Sequence, residues 1–116
     1  MKITIVSIPV TEQDRAKEFY MNFGFQLLID APMGNDQRWI QLTIPDAETT
    51  IALVTWFDEM PAGSVRGMVI TVDNIDDKIK ELNDKGIEVE PIEKTPWGRF
   101  AAVKDPDGNR LSLHQE

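Results

Sequence analysis

The stretch VTEQDRAKEFYMNFGFQL, residues 10–27, decides the fold, because the chain carries a second version of it as VDNIDDKIKELNDKGIEV, residues 72–89. In both versions a valine ends a strand-like run, a helical pattern follows, and a glycine closes that pattern. The two valines, Val10 and Val72, lie 62 positions apart, and so do Gly24 and Gly86. Two strand-to-helix boundaries and two helix ends in one register indicate a duplicated unit.

Each unit predicts one amphipathic helix. In the first, Thr11 is the expected N-cap, with Asp14 three residues further on, and Gly24 is the expected end. In the second, Asp73 or Asn74 is the expected N-cap, and Gly86 is the expected end. The apolar residues of each helix fall on one face: Ala16, Phe19, Tyr20 and Phe23 in the first helix, and Ile75, Ile79 and Leu82 in the second.

Three strand-like runs follow each helix, so that each half of the chain is βαβββ. These runs are residues 25–30, 38–44 and 49–57 in the first half, and residues 87–93, 99–105 and 109–115 in the second. We predict a single α+β domain of two tandem modules, residues 1–57 and 65–116, joined by a Pro- and Gly-containing linker at residues 58–64. The modules would form a curved mixed sheet with the helices on its outer face and a concave trough on the other. A ferredoxin-like sandwich would need βαββαβ order, which leaves one strand of each half unexplained.

Composition excludes several functions. The 116 residues include no cysteine, which rules out disulfides, thiolate metal sites and cysteine nucleophiles. The formal net charge of −8 disfavours nucleic acid as a partner. The N-terminal run MKITIVSIPV is better explained as a strand than as a signal peptide, and no run is long enough to span a membrane. We therefore expect a cytoplasmic protein.

Two motifs extend this interpretation to a family. Phe19-Tyr20 followed by Gly24-Phe25, and the turn at residues 105–109 (DPDGN), together with the repeat, resemble the vicinal-oxygen-chelate superfamily. That superfamily includes glyoxalase I, bleomycin-resistance proteins, fosfomycin-resistance proteins and extradiol dioxygenases. The resemblance covers essentially the whole chain, and it implies homodimers whose subunits cover a trough.

The resemblance also implies where a divalent ion would bind in metal-using members. The corresponding positions here are occupied by Ile5, Leu53, Gly67 and Ser112, which offer at most one weak oxygen ligand. We therefore expect no metal and no other cofactor, and a protein that binds a drug or metabolite in its trough, as bleomycin-resistance-type proteins do. The alternative is a lyase, isomerase or dioxygenase of the same superfamily with a divergent metal site or a site based on His114.

Nine residues are candidates for contact with the ligand. Three tryptophans near strand ends could form flat walls, although they could equally fill core or dimer contacts: Trp39, Trp56 and Trp97. Three arginines near strand starts could together bind an anionic ligand, although each could simply be solvated: Arg38, Arg66 and Arg99. The last strand should place three alternate side chains on the trough face: Arg110, Ser112 and His114. His114 is the only histidine, and we predict no catalytic role for it.

Overall fold

The structure is a computed structural model that describes the whole chain, residues 1–116. It consists of two βαβββ modules in sequence, as predicted. The first contains β1 (Ile5–Pro9), α1 (Gln13–Phe23), β2 (Gln26–Gly34), β3 (Gln37–Thr43) and β4 (Thr50–Val54). The second contains β5 (Met68–Thr71), α2 (Ile75–Asp84), β6 (Glu93–Thr95), β7 (Gly98–Lys104) and β8 (Arg110–Gln115).

Each module forms its own mixed four-stranded sheet. The strand orders are β1-β4-β3-β2 and β5-β8-β7-β6, so both modules have the same topology. In each sheet the first and last strands of the module pair in parallel, with Ser7 opposite Ala52 and Val69 opposite Ser112. The remaining pairs are antiparallel. These orders confirm the predicted α+β fold and exclude the ferredoxin-like alternative.

One core joins the two modules. A single cluster of 17 buried apolar residues includes Tyr20 and Phe23 from α1, Leu82 from α2 and Leu111 from β8. Burial of each such large side chain stabilises the fold by about 1.5–3 kcal/mol relative to leaving it exposed. Neither helix is long and apolar enough to cross a membrane.

The DPDGN turn lies at the junction between the modules. The Asp105 carboxylate accepts hydrogen bonds from the backbone N–H groups of Asp107 and Asn109 through one oxygen. Its other oxygen accepts from the Tyr20 hydroxyl of α1 and from the Asn109 amide. The Asn109 amide also donates to the Pro9 carbonyl of the first module, at 2.9 Å. The turn thus ties the second module to β1 and α1.

The helix ends differ from the sequence prediction at two points, the N-cap of α1 and the C-cap of α2, which is Lys85 and not Gly86. The N-cap of α1 is Glu12, whose side chain accepts from the Asp14 N–H, and not Thr11. The Thr11 backbone N–H and hydroxyl both donate instead to Asp107, a residue of the other module. The predictions of Asn74 as the N-cap of α2 and of Gly24 as the end of α1 are confirmed.

The sixth strand is shorter and later than predicted. It covers Glu93–Thr95, whereas the sequence pattern predicted a strand over residues 87–93. Pro91 has no N–H to donate to β7, and proline is therefore disfavoured within a sheet ladder. Before this proline only one backbone hydrogen bond, from Glu90 to Ala102, joins the segment to β7.

Candidate ligand-binding site

Each sheet has one face that its helix does not cover. Strand side chains alternate between the faces, so Ile40 and Leu42 enter the core while Trp39 and Gln41 point the other way. We call the side with Trp39 and Gln41 the first helix-free face. The second helix-free face lies on the other sheet and carries these residues: Val69, Phe100, Ala102, Arg110, Ser112 and His114.

The first helix-free face presents a pair of stacked tryptophans. The ring centroids of Trp39 and Trp56 are 6.2 Å apart, and the rings are 29° from parallel. The Trp39 indole N–H donates to the Gln41 side chain at 3.0 Å, and the Gln41 amide donates to the Thr50 hydroxyl at 2.8 Å. Thr50 in turn donates to the Thr4 carbonyl. This chain of hydrogen bonds holds the Trp39 ring in place.

The second helix-free face carries a similar stack. Phe100 and His114 lie with ring centroids 4.5 Å apart and 28° from parallel. Beside them Trp97 is 77% exposed at the tip of the β6–β7 hairpin. A groove of about 720 Å³ is lined by Val69, Trp97, Phe100 and His114, among others. Sequence reasoning missed Phe100, because the repeat interval of 62 pairs Trp39 with Ala101, a core residue on the opposite face of β7.

Both ring nitrogens of His114 are engaged within the protein. Nε2 lies 2.9 Å from the Trp97 carbonyl oxygen, which can only accept a hydrogen bond. Nε2 therefore carries the hydrogen, and in the neutral ring Nδ1 accepts from the Thr71 hydroxyl, 3.1 Å away. This arrangement fixes the tautomer and leaves neither nitrogen free for a metal ion or a ligand.

Arg38 lies on the helix side of its sheet. Its guanidinium forms two parallel 2.8 Å hydrogen bonds with Asp30 and a third with Asp14 of α1. The hydrogen bonds from Arg38, with those from Lys17, hold the pKa of the Asp30 carboxyl well below its usual range. The same two carboxylates raise the pKa of Arg38. Arg38 and Trp39 are neighbours on one strand, so their side chains lie on opposite faces.

The second module repeats this ion pair. Arg99 bonds to Asp76 of α2 at 3.0 Å and to the Gln115 side chain at 2.8 Å. Asp76 follows Asp14 by the repeat interval of 62. Arg66 donates instead to backbone carbonyls, among them that of Gly63. The structure therefore does not bring the three predicted arginines together.

Arg110, Ser112 and His114 do share the second helix-free face. Arg110 pairs with Glu90 at 2.9 Å, and both side chains are partly exposed. A further groove of about 370 Å³ includes Phe100 and is also lined by four polar residues: Glu90, Glu93, Arg110 and Ser112. The lining of this groove therefore carries two acidic groups and one basic group, while Lys104 lies outside it, opposite Arg110 on the same face.

A further cleft of about 420 Å³ lies next to α1 and shares Glu90 and Ala102 with the preceding groove. Its lining includes Phe19, Val89, Lys104 and Pro106. It contains neither tryptophan nor histidine, and no buried polar side-chain atom without a partner opens from these residues. Its composition gives no indication of a specific ligand.

Comparison with known proteins identifies the family. The model of the Glyoxalase/Bleomycin resistance protein/Dioxygenase superfamily matches residues 2–113. The chain belongs to this superfamily. It is 34% identical to the uncharacterized protein YurT of Bacillus subtilis (strain 168) over 129 residues, covering 100% of each chain. The fold and the family therefore agree with the resemblance seen in the sequence.

Two solved structures from Streptomyces sp. CB03234 are also similar. The antibiotic binding protein TnmS3 superposes with a TM-score of 0.93 at 41% identity, covering 99% of this chain and 95% of that one. A glyoxalase/bleomycin resistance protein superposes with a TM-score of 0.87 at 42% identity, covering 98% and 100%.

The residues at the superfamily's metal positions do not fit a divalent ion. Gly67 has no side chain, and a Cβ built there would meet no atom within 4 Å. Leu53, which the sequence suggested for the first module, lies fully buried in the core. The residue that corresponds to Ser112 is Ala52, which pairs with Ser7 as Ser112 pairs with Val69. No group of three or more His, Asp or Glu side chains comes together to hold an ion.

Proposed function

We propose that this protein binds a flat aromatic small molecule, an antibiotic or a metabolite, without a metal ion. The observation that carries the proposal is the presence of aromatic rings on both helix-free faces: Trp39 stacked on Trp56 on the first, and Trp97 with Phe100 in the groove of the second. Aromatic side chains with exposed faces favour planar ligands, since offset stacking adds to the burial of apolar area. The antibiotic-binding activity of the similar protein TnmS3 supports the same proposal.

The charges near the grooves bear on the kind of ligand. We predicted that three arginines bind an anionic ligand together: Arg38, Arg66 and Arg99. Their positions do not support this prediction, because each forms its hydrogen bonds away from the tryptophans. The groove residues include Glu90, Glu93 and Glu116, and Arg110 is already paired with Glu90. A neutral or cationic ligand suits this face better than an anion.

We also propose that the protein forms a homodimer. Four large apolar residues are exposed on the edge strand β2: Leu27, Leu28, Ile29 and Met33. Exposed apolar edge strands favour association, and a second copy would also cover the grooves of the second helix-free face. Sedimentation at several concentrations tests this part, and a strict monomer would contradict it. A cytoplasmic location stays a prediction from the sequence.

The alternative of an enzyme based on His114 gains no support from the geometry. A general base needs a nitrogen that can take a proton from the substrate. Here Nε2 donates to Trp97 and Nδ1 accepts from Thr71, so both are occupied.

The experiment is a titration of tryptophan fluorescence in the presence of EDTA with three probes of equal ring number. Proflavine is a cation, acridone is neutral and anthracene-2-carboxylate is an anion. We expect saturable quenching by at least one probe, unchanged when divalent ions replace EDTA. Truncating the aromatic ring on which the probe stacks should weaken that binding about tenfold, because a stacking contact and apolar burial are lost. The variant is Trp39→Ala for the first helix-free face and Phe100→Ala for the second. Met21→Ala, on the exposed side of α1, is the matched control. Absence of quenching by all three probes would contradict the proposal.

A further inference from the structure

We propose that His114 is a positioning residue that ties the Trp97 turn to the last strand and so sets the place of the Trp97 indole in the site. The Trp97 turn is the two-residue connection of Pro96 and Trp97 between Thr95 and Gly98. The inference rests on the proposed function in one respect, namely that Trp97 contacts the ligand.

The first support is the way in which the His114 ring is held. Its Nε2–H donates to the Trp97 carbonyl at 2.9 Å, and its Nδ1 lies 3.1 Å from the Thr71 hydroxyl on β5. Phe100 of β7 covers one ring face. The imidazole is therefore fixed on two edges and one face, and it can hold the turn at a defined distance from the sheet.

The second support is the close approach of the turn to β8. A Cβ built on Gly98 would lie 2.4 Å from the Gln115 carbonyl oxygen and 2.8 Å from His114 Nε2. Gly98 also has a φ of +122°, which side chains strongly disfavour. Only glycine lets the backbone come near enough for the bond between His114 and Trp97.

The third support is that the hairpin has little else to hold it. β6 has three residues and lies at the edge of its sheet. The Thr95 hydroxyl donates to the Gly98 carbonyl and accepts from the Trp97 N–H, and both bonds stay inside the turn. The hydrogen bond from the His114 side chain to the Trp97 carbonyl, by contrast, connects the turn to another strand, β8.

The consequence concerns affinity. An exposed indole on a loose turn must be ordered when a ligand stacks on it, and that ordering weakens binding. Because His114 already fixes the turn, little further conformational entropy of the turn is lost when the ligand binds. Loss of the tie should weaken binding of a stacking ligand about three- to tenfold without removing any direct contact.

The first test measures the motion of Trp97 alone. In a Trp39→Phe, Trp56→Phe background Trp97 is the only tryptophan, since the chain has three. We expect His114→Leu to increase the nanosecond local motion of the indole about twofold in fluorescence anisotropy decay. His114→Gln should restore the native value, because its amide nitrogen can donate to the Trp97 carbonyl and its oxygen can accept from Thr71. Equal motion in the Leu and His proteins, or failure of Gln to restore it, would overturn the inference.

The second test uses the native tryptophans and the acridone and proflavine titrations. His114→Leu should weaken binding, and His114→Gln should bind nearly as the native protein does. Equal weakening by Leu and Gln would mean that His114 itself contacts the ligand, and it would overturn a positioning role. If neither probe binds while the motion results hold, the inference about the turn stands and the proposed function fails for these probes.

A further variant provides a test in case His114→Leu does not fold. If His114→Leu does not fold, Thr71→Val removes only the partner of Nδ1 and leaves the bond to Trp97 in place. We then expect a smaller but measurable increase in Trp97 motion. No increase in this variant would count against the inference.

Discussion

The Tyr20 hydroxyl on α1 donates a 2.8 Å hydrogen bond to the Asp105 carboxylate of the second module, and both groups are buried. This bond explains why the Phe19-Tyr20 pair and the DPDGN turn occur together in one chain. Each motif supplies one partner of a contact between the modules. Burial, together with the nearby Asp105 charge and its hydrogen bond, raises the pKa of Tyr20 far above its ordinary value of about 10.

The first prediction concerns alkaline stability. A group whose pKa is raised by folding stabilises the protein below its unfolded pKa, and that contribution is lost as the pH rises above it. Above about pH 10 the free energy of unfolding should therefore fall by about 1.4 kcal/mol per pH unit through Tyr20 alone. Urea unfolding at a series of alkaline pH values measures this slope.

Tyr20→Phe is the matched control for that slope. It should be less stable than the native protein at neutral pH by about 1–3 kcal/mol, because Asp105 loses a buried donor. It should also lose stability less steeply above about pH 10. Tyr20 is the only tyrosine, so tyrosinate absorbance reports on this residue alone. Appearance of tyrosinate in the folded protein near pH 10 would contradict the account.

The second prediction concerns acid stability. The hydrogen bonds from Arg38 and Lys17 lower the pKa of Asp30 in the folded protein. The corresponding stability is present above the unfolded pKa of about 4 and is lost as the pH falls below it. Asp30→Asn should therefore be less stable at neutral pH and less sensitive to acid between about pH 4 and pH 2. Urea midpoints across this range test it, with the exposed Asp36→Asn as a control that should follow the native curve.

The third prediction concerns Gly98. Gly98→Ala should destabilise the fold by about 1–3 kcal/mol or more, since the new methyl group would meet backbone and the φ is positive. Gly34→Ala is a strict comparison because its φ is also positive, at +87°, but a Cβ there meets nothing within 4 Å. Thermal unfolding should show the larger loss for Gly98→Ala. Equal losses would mean that the close approach of the turn to β8 is unimportant.

The fourth prediction concerns ligand charge. Proflavine should bind more tightly than anthracene-2-carboxylate, because glutamates outnumber free arginines at the grooves and the net charge is −8. The difference should shrink as salt is added, since exposed charges are screened. Stronger binding of the anion would indicate that Arg110 leaves Glu90 to meet the ligand.

The fold could be predicted from the sequence because the strand–helix pattern depends on neighbouring residues and occurs twice in the chain. Valine and glycine positions at a constant interval define two strand–helix units, and the structure adds the pairs Asp14–Arg38 and Asp76–Arg99 to the same repeat. The N-cap of α1 was predicted wrongly because Thr11 bonds to Asp107, 96 positions away. No local pattern reveals a contact between residues so far apart in the chain.

The candidate site was less predictable for two physical reasons. The sequence pattern predicts both Arg38 and Trp39 at the trough, although neighbouring residues on a strand must face opposite sides. The role of His114 depends on which groups meet its ring, and these come from the β6–β7 turn (Trp97) and from β5 (Thr71), far away in the sequence. Alternation along β8 did place Arg110, Ser112 and His114 on one face.

Metal-free binding of an aromatic ligand is tested by a crystal structure of the protein with the tightest-binding of the three probes, grown in EDTA. We predict that the probe's rings stack on the Trp39–Trp56 pair or on Trp97 and Phe100, with no ion at Ile5, Ala52, Gly67 or Ser112. Probe density confined to the cleft between Phe19 and Val89, or binding that appears only with a divalent ion at those four positions, would contradict the account.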